Sequence, residues 1–149
     1  MRLRMASDYD IDFMLYVHEK LNKKHVIKNC GIWDLETQKH FLLKSMEREK
    51  YNIIYELEEQ IGIFAWNEDT SNIYLHELLI LKKFQKTGVG TLLLDMLMKR
   101  SDYFNKKLEA QVFKSNKVAL EFYLSKGFEI EKEGRSHYII SYQKRGKQV

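Results

Sequence analysis

Two segments near the start of the chain carry apolar residues at helical spacing and predict helices. The first spans residues 11–21 and follows Ser7 and Asp8, either of which can cap a helix. The second spans residues 34–49 and begins at an aspartate that can act as its N-cap. Leu3 lies in a short extended stretch before them. The chain is therefore predicted to open with one strand and two helices.

Short apolar runs in the middle of the chain predict strands. Residues 51–58 and 61–67 are rich in β-branched and aromatic side chains, and the two residues between them leave the spacing of a hairpin. Residues 73–81 form a longer apolar run, which is typical of a strand covered on both faces. We expect this last strand to be central in its sheet.

The second half of the chain alternates helical and extended patterns. After Gly88, apolar residues at helical spacing predict a helix of about three to four turns. The remaining predicted elements are a strand at 108–113, a helix at 116–126, and strands at 128–132 and 137–143. This order, with about seven strands and about four helices, predicts an α/β fold with a mixed sheet.

The composition indicates one globular domain. The chain has 149 residues with no proline and 7 glycines, and no linker or repeat divides it, so we predict a single domain over residues 1–149 with a frayed tail at 144–149. Its apolar runs are far shorter than the roughly 18 residues of a membrane span. Because no leader-like apolar segment stands at the start, a cytoplasmic protein with no membrane partner is expected.

Cysteine content and charge exclude several kinds of site. The single cysteine, Cys30, rules out a disulfide framework within the chain and a metal cluster built on thiolates, so no metal is expected. The net charge is +4, but the 25 basic residues are interspersed with 21 acidic ones. Nucleic-acid binding therefore ranks last among the functions considered.

The segment 85–90, which reads Gln-Lys-Thr-Gly-Val-Gly, joins the predicted central strand to the following helix. A helix N-terminus offers unpaired backbone N–H groups and a partial positive charge, which suit a phosphate. Gly88 and Gly90 lack side chains and let a diphosphate approach these amides closely. On this pattern alone, a phosphate-binding turn and a turn shaped only for packing are about equally supported.

A second pattern lies on the predicted helix at 116–126. Asn116, Ala119 and Tyr123 share one helical face, which therefore presents an amide, a small flat patch and a phenol along about 10 Å. Such a face can line an elongated ligand.

Together the two patterns resemble motifs of the GNAT superfamily of acetyl-CoA-dependent N-acetyltransferases. Gln85-x-x-Gly88-x-Gly90 resembles the R/Q-x-x-G-x-G/A pyrophosphate loop, and the segment 116–128 resembles N-x-x-A-x-x-x-Y-x-x-x-G-F. The order of elements agrees over nearly the whole chain. The departures are Gln85, where arginine is commoner, and Lys82, where many members have proline. The resemblance implies a GNAT-like mixed, mostly antiparallel sheet of about seven strands flanked by about four helices.

The resemblance also implies acetyl-CoA as cosubstrate. Backbone groups of Ile80 and Leu81 would hold the pantetheine arm, the amides of residues 86–91 would hold the pyrophosphate, and Asn116 would contact the pantetheine. The full implied binding set is Leu79, Ile80, Leu81, Gln85, Lys86, Thr87, Gly88, Val89, Gly90, Thr91, Asn116, Ala119 and Tyr123.

Glu77 is the candidate catalytic base. It lies in an otherwise apolar strand, where a charge is costly unless it faces a cleft or a partner, and the resemblance places a catalytic glutamate there. Because an ordinary lysine amine has a pKa of about 10, the base would act through water. Two alternatives stay open, a purely structural ion pair and His76 as the base. Neighbouring strand side chains point to opposite faces, so only one of the two enters the cleft unless a bulge intervenes.

Tyr123 is the second candidate catalytic residue, as the acid that serves the leaving thiolate. A phenol with a pKa of about 10 is a weaker acid than a thiol at about 8.5, so full proton transfer would be uphill by about 2 kcal/mol. Hydrogen bonding to the sulfur would then be its larger role. The alternative is a core aromatic without a catalytic role.

The acceptor side of the site is less defined. Acceptor sites in such folds are built from variable segments, here residues 23–33 and the region of Tyr138, so Trp33, Glu77 and Tyr138 are the candidate acceptor-binding residues. The predicted function is transfer of an acetyl group from acetyl-CoA to a primary amine of a small molecule or protein, by direct attack in a ternary complex. The alternative is a non-catalytic acyl-CoA-binding sensor or interaction module. Homodimers are common in the superfamily, and a homodimer stays open.

Overall fold

The computed structural model describes residues 1–144, so the predicted frayed tail lies, from residue 145 on, outside the described residues. The described part has seven strands and four α-helices, with short 3-10 helices at Asp8–Asp10 and Lys82–Phe84. In chain order the main elements are β1 (Arg2–Met5), α1 (Ile11–Cys30), α2 (Leu35–Arg48), β2 (Lys50–Glu56), β3 (Glu59–Glu68), β4 (Asn72–Ile80), α3 (Val89–Phe104), β5 (Lys107–Phe113), α4 (Lys117–Ser125), β6 (Glu129–Glu133) and β7 (His137–Tyr142).

The seven strands form one sheet in the order β1-β2-β3-β4-β5-β7-β6, so β4 is its central strand as predicted. β4 and β5 run parallel, and Asn72 lies opposite Lys107. The pairs β1–β2, β2–β3, β5–β7 and β6–β7 are antiparallel. The predicted α/β fold with a mixed, mostly antiparallel sheet is confirmed.

By backbone contacts the chain divides into two compact units. The first comprises Met1–Trp66 and His76–Gly90, and the second comprises Asn67–Leu75 and the chain from Thr91 onward. In the first unit α1, α2 and the strands enclose an apolar core, which includes Met14, Val17, Leu42, Ile53, Ile63 and Ala65. In the second unit the fully buried side chains include Leu93, Leu94, Leu97, Leu108 and Ile140.

Helix α1 is longer than predicted. It continues to Cys30, so most of the segment 23–33, for which the sequence predicts a variable acceptor segment, is helical. The helix ends where Gly31 adopts φ +80° and its N–H donates to the carbonyl oxygen of Ile27. The segment contains neither proline nor glycine before Gly31, so the first residue that readily turns left-handed stops the helix.

The β2–β3 hairpin is confirmed, but its turn lies two residues earlier than predicted. β2 ends at Glu56 and β3 begins at Glu59, which places Leu57 and the following glutamate in the turn. Leu57 adopts φ +53° and is exposed. Leucine is an unusual residue for this conformation, which is why the turn carries no recognisable sequence signal.

Candidate active site

The carboxyl end of β4 lies very close to β3. Gly62 of β3 faces the backbone of Leu79, and a Cβ at this glycine would collide with the Leu79 carbonyl oxygen. Just beyond the strand, the N–H of Leu81 donates to the carbonyl oxygen of Ile61 at 2.9 Å. The end of β4 is therefore anchored to β3 by a close backbone approach that requires glycine.

The loop after β4 is braced by its own side chains. Gln85 Nε2 donates to the carbonyl oxygen of Ile80 at 2.8 Å, and Thr87 Oγ1 donates to the carbonyl oxygen of Phe84 at 2.6 Å. Two polar residues of the predicted phosphate loop thus bind backbone carbonyls within the first unit. Gln85, the position where arginine is commoner in the resembling family, serves here to tie the loop to the strand.

The same loop turns through two left-handed residues. Lys86 has φ +65° and Gly88 has φ +93°. A Cβ at Gly88 would meet no atom within 4 Å, so glycine is needed there for its backbone angle and not for space. Helix α3 begins directly afterwards at Val89, with Gly90 in its first turn. The first N–H groups of a helix have no partner within the helix, an arrangement that suits a phosphate.

Glu77 lies on β4 and is paired with a histidine from α1. Its Oε2 atom is 3.1 Å from Nε2 of His18, and the two side chains are only 16% and 14% exposed. The negative charge of Glu77 also raises the pKa of the buried Tyr51 on β2. The contact with His18 brings α1 and β4, which are distant in sequence, together at one carboxylate.

His18 is held from both sides. Nδ2 of Asn22, one helical turn later, lies 3.2 Å from Nδ1 of His18, opposite the contact with Glu77. Burial lowers the pKa of His18, while the negative charge of Glu77 and the hydrogen bond to it raise the pKa, and the net value lies above the ordinary 6.5. The pKa of Tyr51 is also raised, first by burial and then by the charges of Glu77 and Glu49.

His76 belongs to a different pair. Its Nδ1 atom lies 3.5 Å from Oε1 of Glu49, and its side chain is more exposed than that of Glu77. The two neighbours on β4 therefore have different partners, since Glu77 pairs with His18 and His76 pairs with Glu49.

In the second unit, α4 and its flanking loop position the later motif. Asn116 is the N-cap of α4, and its Oδ1 atom accepts from the N–H of Ala119 at 3.2 Å. Tyr123 is buried and packs edge-to-face on Phe128, with 5.3 Å between ring centroids. Burial raises the pKa of Tyr123. The spacing of this motif is thus explained in part by a helix cap and an aromatic pair.

The two predicted acceptor-binding aromatics lie in different units. Trp33 is half-buried in the link between α1 and α2. Tyr138 is half-buried on β7, and Nζ of Lys114 lies 5.5 Å from the centre of its ring.

A family model described as an acetyltransferase (GNAT) domain matches residues 31–144, from before α2 to the end of the described residues. The chain belongs to the GNAT acetyltransferase family. A comparison with curated protein sequences finds no significant match.

Solved structures of other acetyltransferases share this fold. The N-acetyltransferase PaiA of Thermoplasma acidophilum, solved in complex with coenzyme A, has a TM-score of 0.73 and 19% identity, with 96% of this chain and 98% of that chain covered. An acetyltransferase of Thermus thermophilus has a TM-score of 0.74 and 18% identity over 95% and 96% of the two chains. The ribosomal-protein-S18-alanine N-acetyltransferase of Escherichia coli has a TM-score of 0.68 and 16% identity over 99% and 97%. At these identities the likeness shows the fold.

The sequence of this GNAT chain marks Glu77 as a candidate but does not identify the residues around it. His18 stands at a position of α1 that shares the helical spacing of the apolar core residues. A polar, ionisable residue at such a position is the one signal that could have marked it. Tyr51 carries no comparable signal, because a tyrosine in a strand is ordinary.

Among residues 1–144 of this GNAT chain, no group of three or more His, Cys, Asp or Glu side chains is arranged to hold a metal ion. No helix in the same described range has the length and apolar character needed to cross a membrane.

Proposed function

We propose that this protein is an N-acetyltransferase that moves an acetyl group from acetyl-CoA to a primary amine of a small molecule or protein, by direct attack in a ternary complex. The observation that carries the proposal is the glycine turn before α3. Gly88 at φ +93° and the bond from Gln85 to the strand end shape a loop that leads into α3, whose first N–H groups have no partner within the helix. Family membership supports acetyl transfer in general.

The backbone after β4 would hold the cosubstrate. The amides of residues 86–91 suit the pyrophosphate, because they combine unpaired N–H groups with the positive end of the α3 dipole. At the strand end the Leu81 N–H is already bound to Ile61, and the Ile80 carbonyl already accepts from Gln85. A carbonyl oxygen has a second lone pair, so Ile80 can still accept a hydrogen bond from the pantetheine arm.

Acetyl-CoA supplies an acetyl group on a thioester, and the acceptor must meet it as a neutral amine. Glu77 would take that proton through a water molecule, and its contact with His18 in a mostly buried setting, which holds the carboxylate in position, supports this role. The same pairing is also what a purely structural ion pair would show. The catalytic role therefore depends on the effect of removing the charge.

Tyr123 would act as a hydrogen-bond donor to the leaving sulfur. Since burial raises the pKa of this phenol further above that of a thiol, donation of a hydrogen bond is favoured over complete transfer of its proton. Asn116 would contribute its Nδ2 group, because its Oδ1 atom is used to cap α4. Trp33 and Tyr138 remain the proposed acceptor-binding aromatics.

The test measures coenzyme A release from acetyl-CoA with a panel of primary amines, alongside calorimetric binding of acetyl-CoA. Glu77→Gln is expected to lower kcat by about 100-fold and Tyr123→Phe by about tenfold, with binding of acetyl-CoA retained. The controls are Glu58→Gln and Tyr103→Phe, which change exposed side chains outside the proposed site. Binding without turnover for any amine would favour the sensor function. Absence of binding would overturn both functions.

A further inference from the structure

The pairing of His18 with Glu77 connects the middle of α1 with the middle of the central strand. The two residues are 59 positions apart in the sequence, and their side chains meet at 3.1 Å with little exposure to solvent. A mostly buried carboxylate needs a partner, and here the partner can change its charge near neutral pH.

Asn22 lets His18 exist in either charge state. An amide nitrogen only donates, so the contact between Nδ2 of Asn22 and Nδ1 of His18 fits a neutral ring that accepts at Nδ1 and donates from Nε2 to Glu77. Rotation of the amide by about 180° would present its oxygen to a protonated Nδ1. Both ring nitrogens of His18 therefore have a hydrogen-bond partner whether the ring is neutral or protonated.

Other titratable groups face the pair from the neighbouring elements. Tyr51 of β2 is buried, and the charges of Glu77 and Glu49 both raise its pKa. Glu49 in turn pairs with His76. His18 is the member of this group whose pKa is raised above 6.5 by the charge of Glu77 against the opposing effect of burial.

We propose that His18 is a positioning residue for Glu77, and that its charge state controls how available the carboxylate is to the acceptor amine. The inference rests on the proposed function of Glu77 as the base. One proton leaves the acceptor ammonium and passes through water to a carboxylate oxygen of Glu77. When His18 is an imidazolium, its positive charge offsets the negative charge of Glu77, and the carboxylate attracts the proton less strongly. When His18 is neutral, it still holds the carboxylate by a hydrogen bond but leaves the negative charge of Glu77 available to the proton.

The first experiment compares rates of wild type and His18→Gln across pH with one amine. Glutamine places a neutral donor near the position of Nε2 but does not titrate. Taking the ratio of the two rates cancels the ionisation of the amine. The ratio of wild type to variant is expected to rise by about three- to tenfold as pH increases through the pKa of His18, starting near 6.5.

His76→Gln is the control variant in this experiment, because it removes the other histidine that pairs with a carboxylate near the site. Its paired carboxylate is Glu49, so the pH-dependent ratio should be absent when His76 is replaced. A flat ratio for His18→Gln, or a pH-dependent ratio for His76→Gln alone, would overturn the proposal.

The second experiment does not depend on activity. The pKa of His18 is measured from its ring proton resonances by NMR in wild type and in Glu77→Gln. Loss of the negative charge is expected to bring the pKa of His18 below 6.5, because burial then dominates. An unchanged pKa would refute the coupling even if the enzyme is active. A lowered pKa without any amine acetylation would leave the pairing intact and refute the proposed function.

Discussion

Gln85 donates a 2.8 Å hydrogen bond from Nε2 to the carbonyl oxygen of Ile80, the last residue of the central strand. The bond ties the start of the glycine turn to the strand that precedes it. In the motif this glutamine resembles a phosphate-loop residue, yet its side chain binds protein backbone. Its contribution to cosubstrate binding would therefore come from the shape of the loop.

Replacing Gln85 by alanine should weaken acetyl-CoA binding without affecting the chemical step. Loss of one neutral hydrogen bond, worth about 1 kcal/mol, is expected to raise the KM for acetyl-CoA by about three- to tenfold while kcat stays near wild type. Steady-state kinetics at saturating amine measure both constants. Gln60→Ala is the matched control, since its amide binds the Tyr55 hydroxyl instead. Equal KM values for the two variants would argue against a role of the loop brace.

Gly88→Ala should cost both stability and cosubstrate affinity. Alanine at φ +93° is strained by about 1 to 2 kcal/mol, although no atom obstructs its methyl group. Gly31→Ala provides a matched control, because that glycine also has a positive φ and open space but ends α1. Urea denaturation should show similar losses for both variants. Only Gly88→Ala should raise the dissociation constant for acetyl-CoA, and an equal rise in both would contradict the proposed turn.

Gly62→Ala is expected to lower the free energy of unfolding more than Gly134→Ala does. Neither glycine lies in the loop after β4. The methyl group added in Gly62→Ala would collide with the Leu79 carbonyl oxygen, and a backbone atom cannot rotate away. The two strands must then separate, at a cost of about 1 to 3 kcal/mol or more. In Gly134→Ala the new Cβ would lie 3.1 Å from the His137 carbonyl oxygen, a looser contact. Chemical denaturation compares the two variants, and equal free energies of unfolding would show that the close approach at Gly62 is unimportant.

The pair of His18 and Glu77 should make stability depend on pH. Because the pKa of His18 is raised in the folded protein above its ordinary 6.5, its stabilising contribution is fully present below pH 6.5 and is lost as pH rises through the folded pKa. The difference in free energy of unfolding between wild type and His18→Gln should therefore shrink as pH rises from about 6.5 through the folded pKa of His18. His40→Gln, which removes an exposed histidine of α2, should show no such trend. A difference that grows with pH would reverse the assigned sign.

Much of the fold follows from local patterns in the sequence. The β2–β3 hairpin, α2 with its N-cap Asp34 and the turn at Gly88 are predictable because periodicity, capping and glycine act over a few residues. The predicted end of α1 at residue 21 is too early, since no proline or glycine between residues 22 and 30 ends the helix before Gly31.

The two GNAT motifs and the choice of Glu77 as candidate base could also be obtained from the sequence alone. The tertiary structure decided what surrounds them: the bond from Gln85 to Ile80, the close approach of Gly62 to Leu79, and above all the meeting of His18 with Glu77. Local patterns report which face of a helix or strand is apolar. They do not report which residue 59 positions away will occupy the facing position, because the packing of α1 against the sheet determines that contact.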